Sequence, residues 1–427
     1  MKLKKTLILL AATATGVGAL ATAPVISAAE YSSSFSGNVR VEALSTTSKS
    51  GDADPVEKLT TAFGGDEEES STGGDTFLQW NHAYEGDNSA ASGFIRFAGD
   101  GNVRINVEGS SELGNYKGDI KAEWERNGFG GVACDAGVCE STISERDQFA
   151  KLTHTGSGVY YKIGREEWLG NQKGYASDFG SYTKGYADAG FGSTRFSAHA
   201  LGWAGNGVNV ALLIQRDNGG SSSGTPYGIG TDDNGDTAAV STFGLLVGYN
   251  SGPVDVAFNF GSGSTSDDDQ TDAVSITELQ LALTFGNVRP FLNFGSRAVT
   301  DEANGGAETS KISQSGWNIG VDVGLGASDL VIAYGSSAFE DTEITIADFT
   351  AGVEDDPLTT DVDETVAEVN PNGEVSRSGF DLIWATNQDP LKVSLVYASN
   401  SGTDTKANGD ESDESESVYG VRLDFGF

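Results

Sequence analysis

Apolar residues at every second position recur from the first third of the chain to its last residue, and no other feature restricts the fold as much. Val103, Ile105 and Val107 alternate with Arg104, Asn106 and Glu108, and Leu279, Leu281, Leu283 and Phe285 alternate with Glu278, Gln280, Ala282 and Thr284. Val254 to Phe260, Trp317 to Leu325 and Leu391 to Tyr397 read the same way. A side-chain period of two belongs to strands with two unlike faces, so the spacing predicts an all-β chain. Beyond the amino-terminal segment no stretch reads as a helix longer than a loop insertion.

The connectors between these segments alternate between short and long. Short ones fall near Ser110 to Leu113, Gly156-Ser157, Trp203 to Asn206, Ser251-Gly252, Gly286-Asn287, Ala327-Ser328 and Gln388-Asp389. Long ones lie near Thr46 to Asp75, Asn127 to Glu145, Glu166 to Ser193, Asp217 to Ala238, Ser262 to Asp272, Thr300 to Ile312, Ala338 to Ser376 and Asn400 to Glu416. One tight rim and one elaborate rim are what an outer-membrane barrel has, with short periplasmic turns and long external loops. Closure also removes the unpaired strand edges that lipid does not tolerate. The pattern predicts a transmembrane antiparallel up-and-down β-barrel. Sixteen strands are expected, with Thr76 to Ala98 as an elaboration of the first hairpin; eighteen is the alternative, if Thr76 to Tyr84 and Ser92 to Ala98 are full strands.

Export is written at the amino terminus. Lys2, Lys4 and Lys5 precede an uncharged run from Thr6 to Ala29, which reads as a signal peptide over residues 1–29, with the barrel over 30–427. A retained membrane anchor is the alternative, and Pro24 with the small residues Ser27-Ala28-Ala29 argues for cleavage. No later run approaches the roughly 20 apolar residues of a membrane helix. The mean hydropathy of -0.27 does not exclude a membrane barrel, because lipid-facing and lumen-facing residues dilute each other in any average.

The chain carries 26 Lys+Arg against 62 Asp+Glu, a formal charge of -36, which argues against nucleic acid as a partner. Acid is concentrated in Asp66 to Glu69, Asp267 to Asp269, Glu354 to Asp356 and Asp410 to Glu416. These blocks read first as solvated loops. Binding of Ca2+ or Mg2+ is the sharper alternative, and Asp232-Asp233-Asn234-Gly235-Asp236 comes nearest to a calcium loop while lacking an EF-hand's distal glutamate. No other cofactor is called for. Cys134 and Cys139 read as a small disulfide loop in an exported protein, a two-ligand metal site or free thiols being the alternatives.

The last strand runs from Tyr419 to a terminal Phe427 with aromatic or aliphatic residues at every odd position. It resembles the carboxy-terminal signature of bacterial outer-membrane proteins, which implies that Phe427 is an insertion signal read by the barrel-insertion machinery. Glu145 to Leu152, followed by a tight turn and Tyr160 to Arg165, resembles the strand pair before the constriction loop of Gram-negative general diffusion porins. Asn102 to Gly109, Asp119 to Glu125, and Thr194 to Ala211 are similar to neighbouring strands of that family.

The resemblance implies that the third long loop, 166–193, folds into the lumen and that its acids face arginines on the wall. Ser177-Asp178-Phe179-Gly180-Ser181 stands where the family has Pro-Glu-Phe-Gly-Gly, which places Asp178 as the loop acid. Glu166, Glu167 and Asp188 are further loop candidates. Strand phase puts Arg40, between Val39 and Val41, and Arg104, between Val103 and Ile105, on the lumen side. Arg146 and Arg165 are carried over from the resemblance.

A basic wall opposite an acidic loop sets a transverse field across a poorly screened passage. The expected function is passive diffusion of small hydrophilic solutes and ions across the outer membrane, with mild cation preference. The chain is expected to be a homotrimer in contact with the lipid bilayer and lipopolysaccharide. A substrate-specific channel for sugar, phosphate or another nutrient is the first alternative, and a non-conducting adhesin or structural barrel the second. His82, His154 and His199 lie in separate strand-like segments with no nucleophile motif, so no enzyme is expected.

Overall fold

The computed structural model describes residues 30–50, 56–63, 77–98, 103–126, 134–135, 138–139, 143–167, 181–187, 195–217, 239–266, 270–303, 307–343, 372–405 and 411–427. The proposed signal peptide, the acidic blocks before Glu411, the Asp232 to Asp236 run, Asp178 and Asp188 lie outside them. The strands are β1 (Glu30–Ser50), β2 (Val56–Phe63), β3 (Phe77–Gly86), β4 (Ser89–Ala98), β5 (Val103–Leu113), β6 (Tyr116–Arg126), β7 (Cys134–Asp135), β8 (Val138–Cys139), β9 (Ile143–His154), β10 (Val159–Glu167) and β11 (Arg195–Gly205). They continue as β12 (Val208–Asp217), β13 (Ala239–Ser251), β14 (Val254–Ser266), β15 (Gln270–Leu283), β16 (Val288–Ala303), β17 (Ala307–Gly324), β18 (Ser328–Glu343), β19 (Asn372–Gln388), β20 (Leu391–Thr405) and β21 (Glu411–Gly426). One four-residue helix, α1 (Thr183–Tyr186), lies between β10 and β11.

Each barrel strand pairs antiparallel with its sequence neighbours, and β21 pairs with β1 to close the ring, with Arg40 opposite Asp424. β2 and β3 pair with successive halves of β1 and so form two pieces of a single stave. The barrel therefore has eighteen strands, not sixteen. The expectation of sixteen fails at β3 and β4, which pair along their whole length from Phe77 opposite Ala98 to Gly86 opposite Ser89. Ala90, Ala91 and Ser92 give β4 too little apolar contrast for its alternation to stand out in the sequence. Residues 87–88 make the additional tight turn.

Turn chemistry fixes the tight rim. Asn206 and Gly207 both have positive φ, 52° and 79°, the conformation a two-residue hairpin needs to match strand twist. The β5–β6 turn falls at 114–115, just beyond the expected Ser110 to Leu113, because β5 continues to Leu113. On the other rim, the β10–β11 connection is the fourth long-side connection once β3 and β4 are counted as strands. It is not the third.

The pleat sorts the side chains. Trp80, Ile105, Tyr161, Trp203, Trp317, Tyr334, Tyr397, Tyr419 and Phe425 are exposed on the outside. An exposed apolar belt of this extent is a surface for lipid. Inside, the wall is mixed. Ala198, Ala200, Leu213, Leu246 and Ile276 form one buried apolar cluster on β11 to β15, and Phe291, Val331, Ile383 and Val396 belong to a second on β16 to β20. Between and around these clusters the inner face carries amides and charges.

Phe427 completes the seam. Its N–H donates to the Gly37 carbonyl at 3.1 Å, and the Gly37 N–H donates to the Phe427 carbonyl at 2.9 Å. Its ring covers Gly37, where a Cβ would stand 2.3 Å from the ring edge.

Candidate functional site

Arg40 and Arg104 sit on inward-facing positions as expected, but they are not part of a bare basic ladder. Arg40 Nε donates to Asp424 at 2.6 Å, and Arg422 Nε donates to Glu42 at 2.8 Å, two ion pairs across the β1–β21 seam. Arg104 meets Glu125 at 3.0 Å and Glu123 at 3.5 Å on β6. Lys121 meets Asp147 at 2.8 Å and Glu123 at 3.5 Å. Around these residues the wall is mixed in charge rather than basic, while the side chains of the loop acids expected to face it lie outside the described residues. Strand phase gave the face of Arg40 and Arg104, but the acids opposite them depend on register, which phase does not report. Arg96, directly opposite Arg104 in β4, was missed, although Phe97 and Ile95 beside it carry the same phase signal.

Arg146 lies at a register shift between β6 and β9, and its side chain, like those of Glu166 and Glu167, lies outside the described residues. Arg165 is in phase with the exposed Tyr161 and Ile163, so the pleat does not bring it to the face that carries Arg40 and Arg104. Cys134 and Cys139 are directly opposite each other in the β7–β8 hairpin. That register is compatible with the disulfide expected from their spacing, while the side chains lie outside the described residues.

The site that emerges is one the sequence did not single out. Residues 181–187 lie on the inner wall of β17, β18 and β19. Asp381 in β19 is fully buried and accepts four hydrogen bonds from this turn: Ser181 Oγ at 2.6 Å, Tyr182 N at 3.0 Å, Thr183 N at 2.9 Å, and Thr183 Oγ1. Free N–H groups at the start of a helical turn need an acceptor, and a carboxylate is a strong one. Ser181 Oγ in turn accepts from Lys184 N at 3.2 Å. Asn318 Nδ2 donates to Thr183 O at 2.9 Å, and Asn318 Oδ1 accepts from Asn293 Nδ2 at 2.8 Å. Tyr182 donates to Glu416 in β21.

Tyr186 fits a slot made by inward-facing glycines. A Cβ on Gly316 would stand 1.7 Å from the Tyr186 carbonyl oxygen, and one on Gly379 would stand 2.8 Å from its hydroxyl. Gly335 lies between them, directly opposite Gly379, and a Cβ there would stand 3.1 Å from the ring. Any side chain at Gly316 would collide with backbone, so the slot exists only because these strands lack side chains there. Burial pushes the Tyr186 phenol up to about 12, and nearby Asp381 adds to the shift. Burial and the Glu416 carboxylate raise Tyr182 as well.

Connectivity gives this contact its meaning. The loop leaves at Glu167 and returns at Arg195, on adjacent strands, while its turn is anchored on β17 to β19, close to half the ring away. The described turn 181–187 is therefore held on the inner wall far around the ring from the two strands that its connection joins.

No family model and no curated protein matches the chain. Among solved structures it is similar to an anion-selective porin from Comamonas acidovorans, at 12% identity over 93% of this chain and 100% of that one, with a TM-score of 0.47. It is also similar to the outer-membrane channel DcaP of Acinetobacter baumannii, at 16% identity over 93% and 97%, TM-score 0.47. A third is Pseudomonas putida OprB, at 10% identity over 92% and 94%, TM-score 0.44. These neighbours are outer-membrane porins and channels. TM-scores below 0.5 carry no functional argument, which has to come from the residues themselves.

Proposed function

We propose that the chain, after removal of residues 1–29, is an outer-membrane porin that lets small hydrophilic solutes and ions diffuse passively. The observation that carries this reading is the docked turn. A closed ring with an apolar outside has a charged and hydrogen-bonding inner wall, and a turn of the β10–β11 connection is held like a strap against the far side of that wall by Asp381, Asn318 and three glycines. Such a strap narrows a passage without needing covalent chemistry.

The charge of -36 supports a mild cation preference, and pairing of the wall arginines with acids keeps the pore from attracting anions through them. His82 and His199 bond outward-facing tyrosines, and His154 bonds Ser157, each on a different strand, which supports a channel over an enzyme. The Phe427 seam supports a role in barrel insertion. Trimer formation, contact with lipopolysaccharide, divalent cations on the acidic loops and the Cys134–Cys139 disulfide belong to the same proposal.

The buried apolar clusters inside the barrel favour a second reading, a plugged barrel that conducts nothing. Liposome swelling with solutes of increasing size separates the two. Swelling that is rapid for small sugars and amino acids and falls with size supports the porin. Liposomes that contain folded protein and do not swell support the plugged barrel.

A further inference from the structure

A cavity of about 310 Å³ opens on the inner wall near the tight rim, away from the docked turn. Two register rows build it. Ser32, Ala83, Ser92 and Glu108 face one another across β1, β3, β4 and β5, and Ser34, Asn81, Phe94 and Asn106 form the next inward row on the same strands. Across the strands neighbours stand about 5 Å apart, and the rows are separated by roughly 7 Å along them. The shelf thus has the footprint of one or two sugar rings.

Its chemistry is unusual for this wall. Ser32, Ser34 and Ser92 have no side-chain hydrogen bond among the described residues, so each can donate and accept. Glu108 is half-exposed and adds a strong acceptor. Asn81 and Asn106 add amides, and Asn106 is held in place by bonds to Glu108 at 3.3 Å and Glu123 at 3.2 Å. Phe94 is the aromatic residue on these two inward rows, with the Arg96 guanidinium 5.4 Å from its ring centroid; His82, which also borders the cavity, bonds the outward Tyr31 hydroxyl, and Ala83 leaves the neighbourhood of Phe94 open. Alternating hydroxyl, amide and carboxylate groups around one aromatic face match a ring that presents hydroxyls at its edge and C–H groups on its face.

We infer that this shelf is a binding site for a neutral polyhydroxylated solute, a saccharide, at the tight-rim end of the passage. The inference deepens the porin reading and rests on it for its biological sense, but binding itself does not require conduction. The shelf is open on one side, so the affinity is weak, with a dissociation constant on the order of 1 mM.

Calorimetry with sucrose on the full folded protein in detergent tests the shelf, and sucrose block of single-channel current tests it in the pore. Glycine betaine, which has no hydroxyl, is the control solute. Phe94→Ala is expected to weaken sucrose binding about ten-fold, Phe94→Tyr to retain it, and Ser32→Ala with Ser92→Ala to weaken it further. Heat-modifiable migration establishes that each variant is folded. Phe94-dependent binding with no current leaves the shelf standing and removes the porin. Current steps without Phe94-dependent binding leave the porin standing and overturn the shelf. Equal loss in Phe94→Ala and Phe94→Tyr, or equal binding of sucrose and glycine betaine, also overturns it.

Discussion

The carboxylate of Asp381 accepts the backbone N–H of Thr183 at 2.9 Å, joining a wall strand to a loop turn 198 residues earlier in the chain. Three more donors converge on the same carboxylate. Removing it leaves them buried without an acceptor, at a cost of roughly 3 kcal/mol. Asp381→Ala is therefore expected to undock the turn while the barrel stays closed. The check is trypsin cleavage after Lys184, protected in the native protein and rapid in the variant, with unchanged heat-modifiable migration.

The glycine slot predicts the same outcome by a different route. Gly316→Ala places a methyl carbon where the Tyr186 carbonyl oxygen stands, and backbone on both sides prevents relaxation. Its effect on single-channel conductance should equal that of Asp381→Ala, and the double variant should add almost nothing, because both remove one docking event.

Docking should also weaken at high pH. The Tyr186 phenol is raised from its ordinary value near 10 to about 12, so the docked state holds the proton more tightly than the free loop. Docking is fully supported below pH 10 and is lost as pH rises from 10 through 12. Conductance recorded across that window should rise in the native protein. In Tyr186→Phe the rise should shrink, and since the hydroxyl has no hydrogen-bond partner among the described residues, the variant should dock at least as well as the native protein at neutral pH.

At the seam, Arg40 and Asp424 neutralise each other at 2.6 Å. Asp424→Ala removes one negative charge from the inner wall beside this arginine and should lower the cation-to-anion permeability ratio by a factor of about two at low salt. Arg40→Ala should raise it. Reversal potentials under a salt gradient read both.

Alternation alone made most of the barrel legible, because strands such as β14 and β17 carry strong contrast between their faces. It failed at β4, where small residues occupy both faces, and that failure set the strand count wrong. Arg40 and Arg104 were placed by phase, but their acid partners lie on strands whose register is fixed only when the ring closes. Asp381 had a signal that could have been used: it is a charge between Gly379 and Ile383 on an inward row of otherwise small and apolar residues. Lys173-Gly174-Tyr175 recurs in the loop as Lys184-Gly185-Tyr186, and the tyrosine of the second copy is the one that packs into the glycine slot. Asp178, Asp188 and the acidic blocks before Glu411 lie outside the described residues and stay as the sequence left them, whereas Glu411 to Glu416 belong to β21.

Single-channel recording of the protein from Glu30 to Phe427 in planar bilayers tests the central claim most directly. Discrete, stable current steps that grow when Asp381→Ala releases the strap are the predicted result. Folded, heat-modifiable protein that inserts and gives no steps, with or without Asp381, would contradict it.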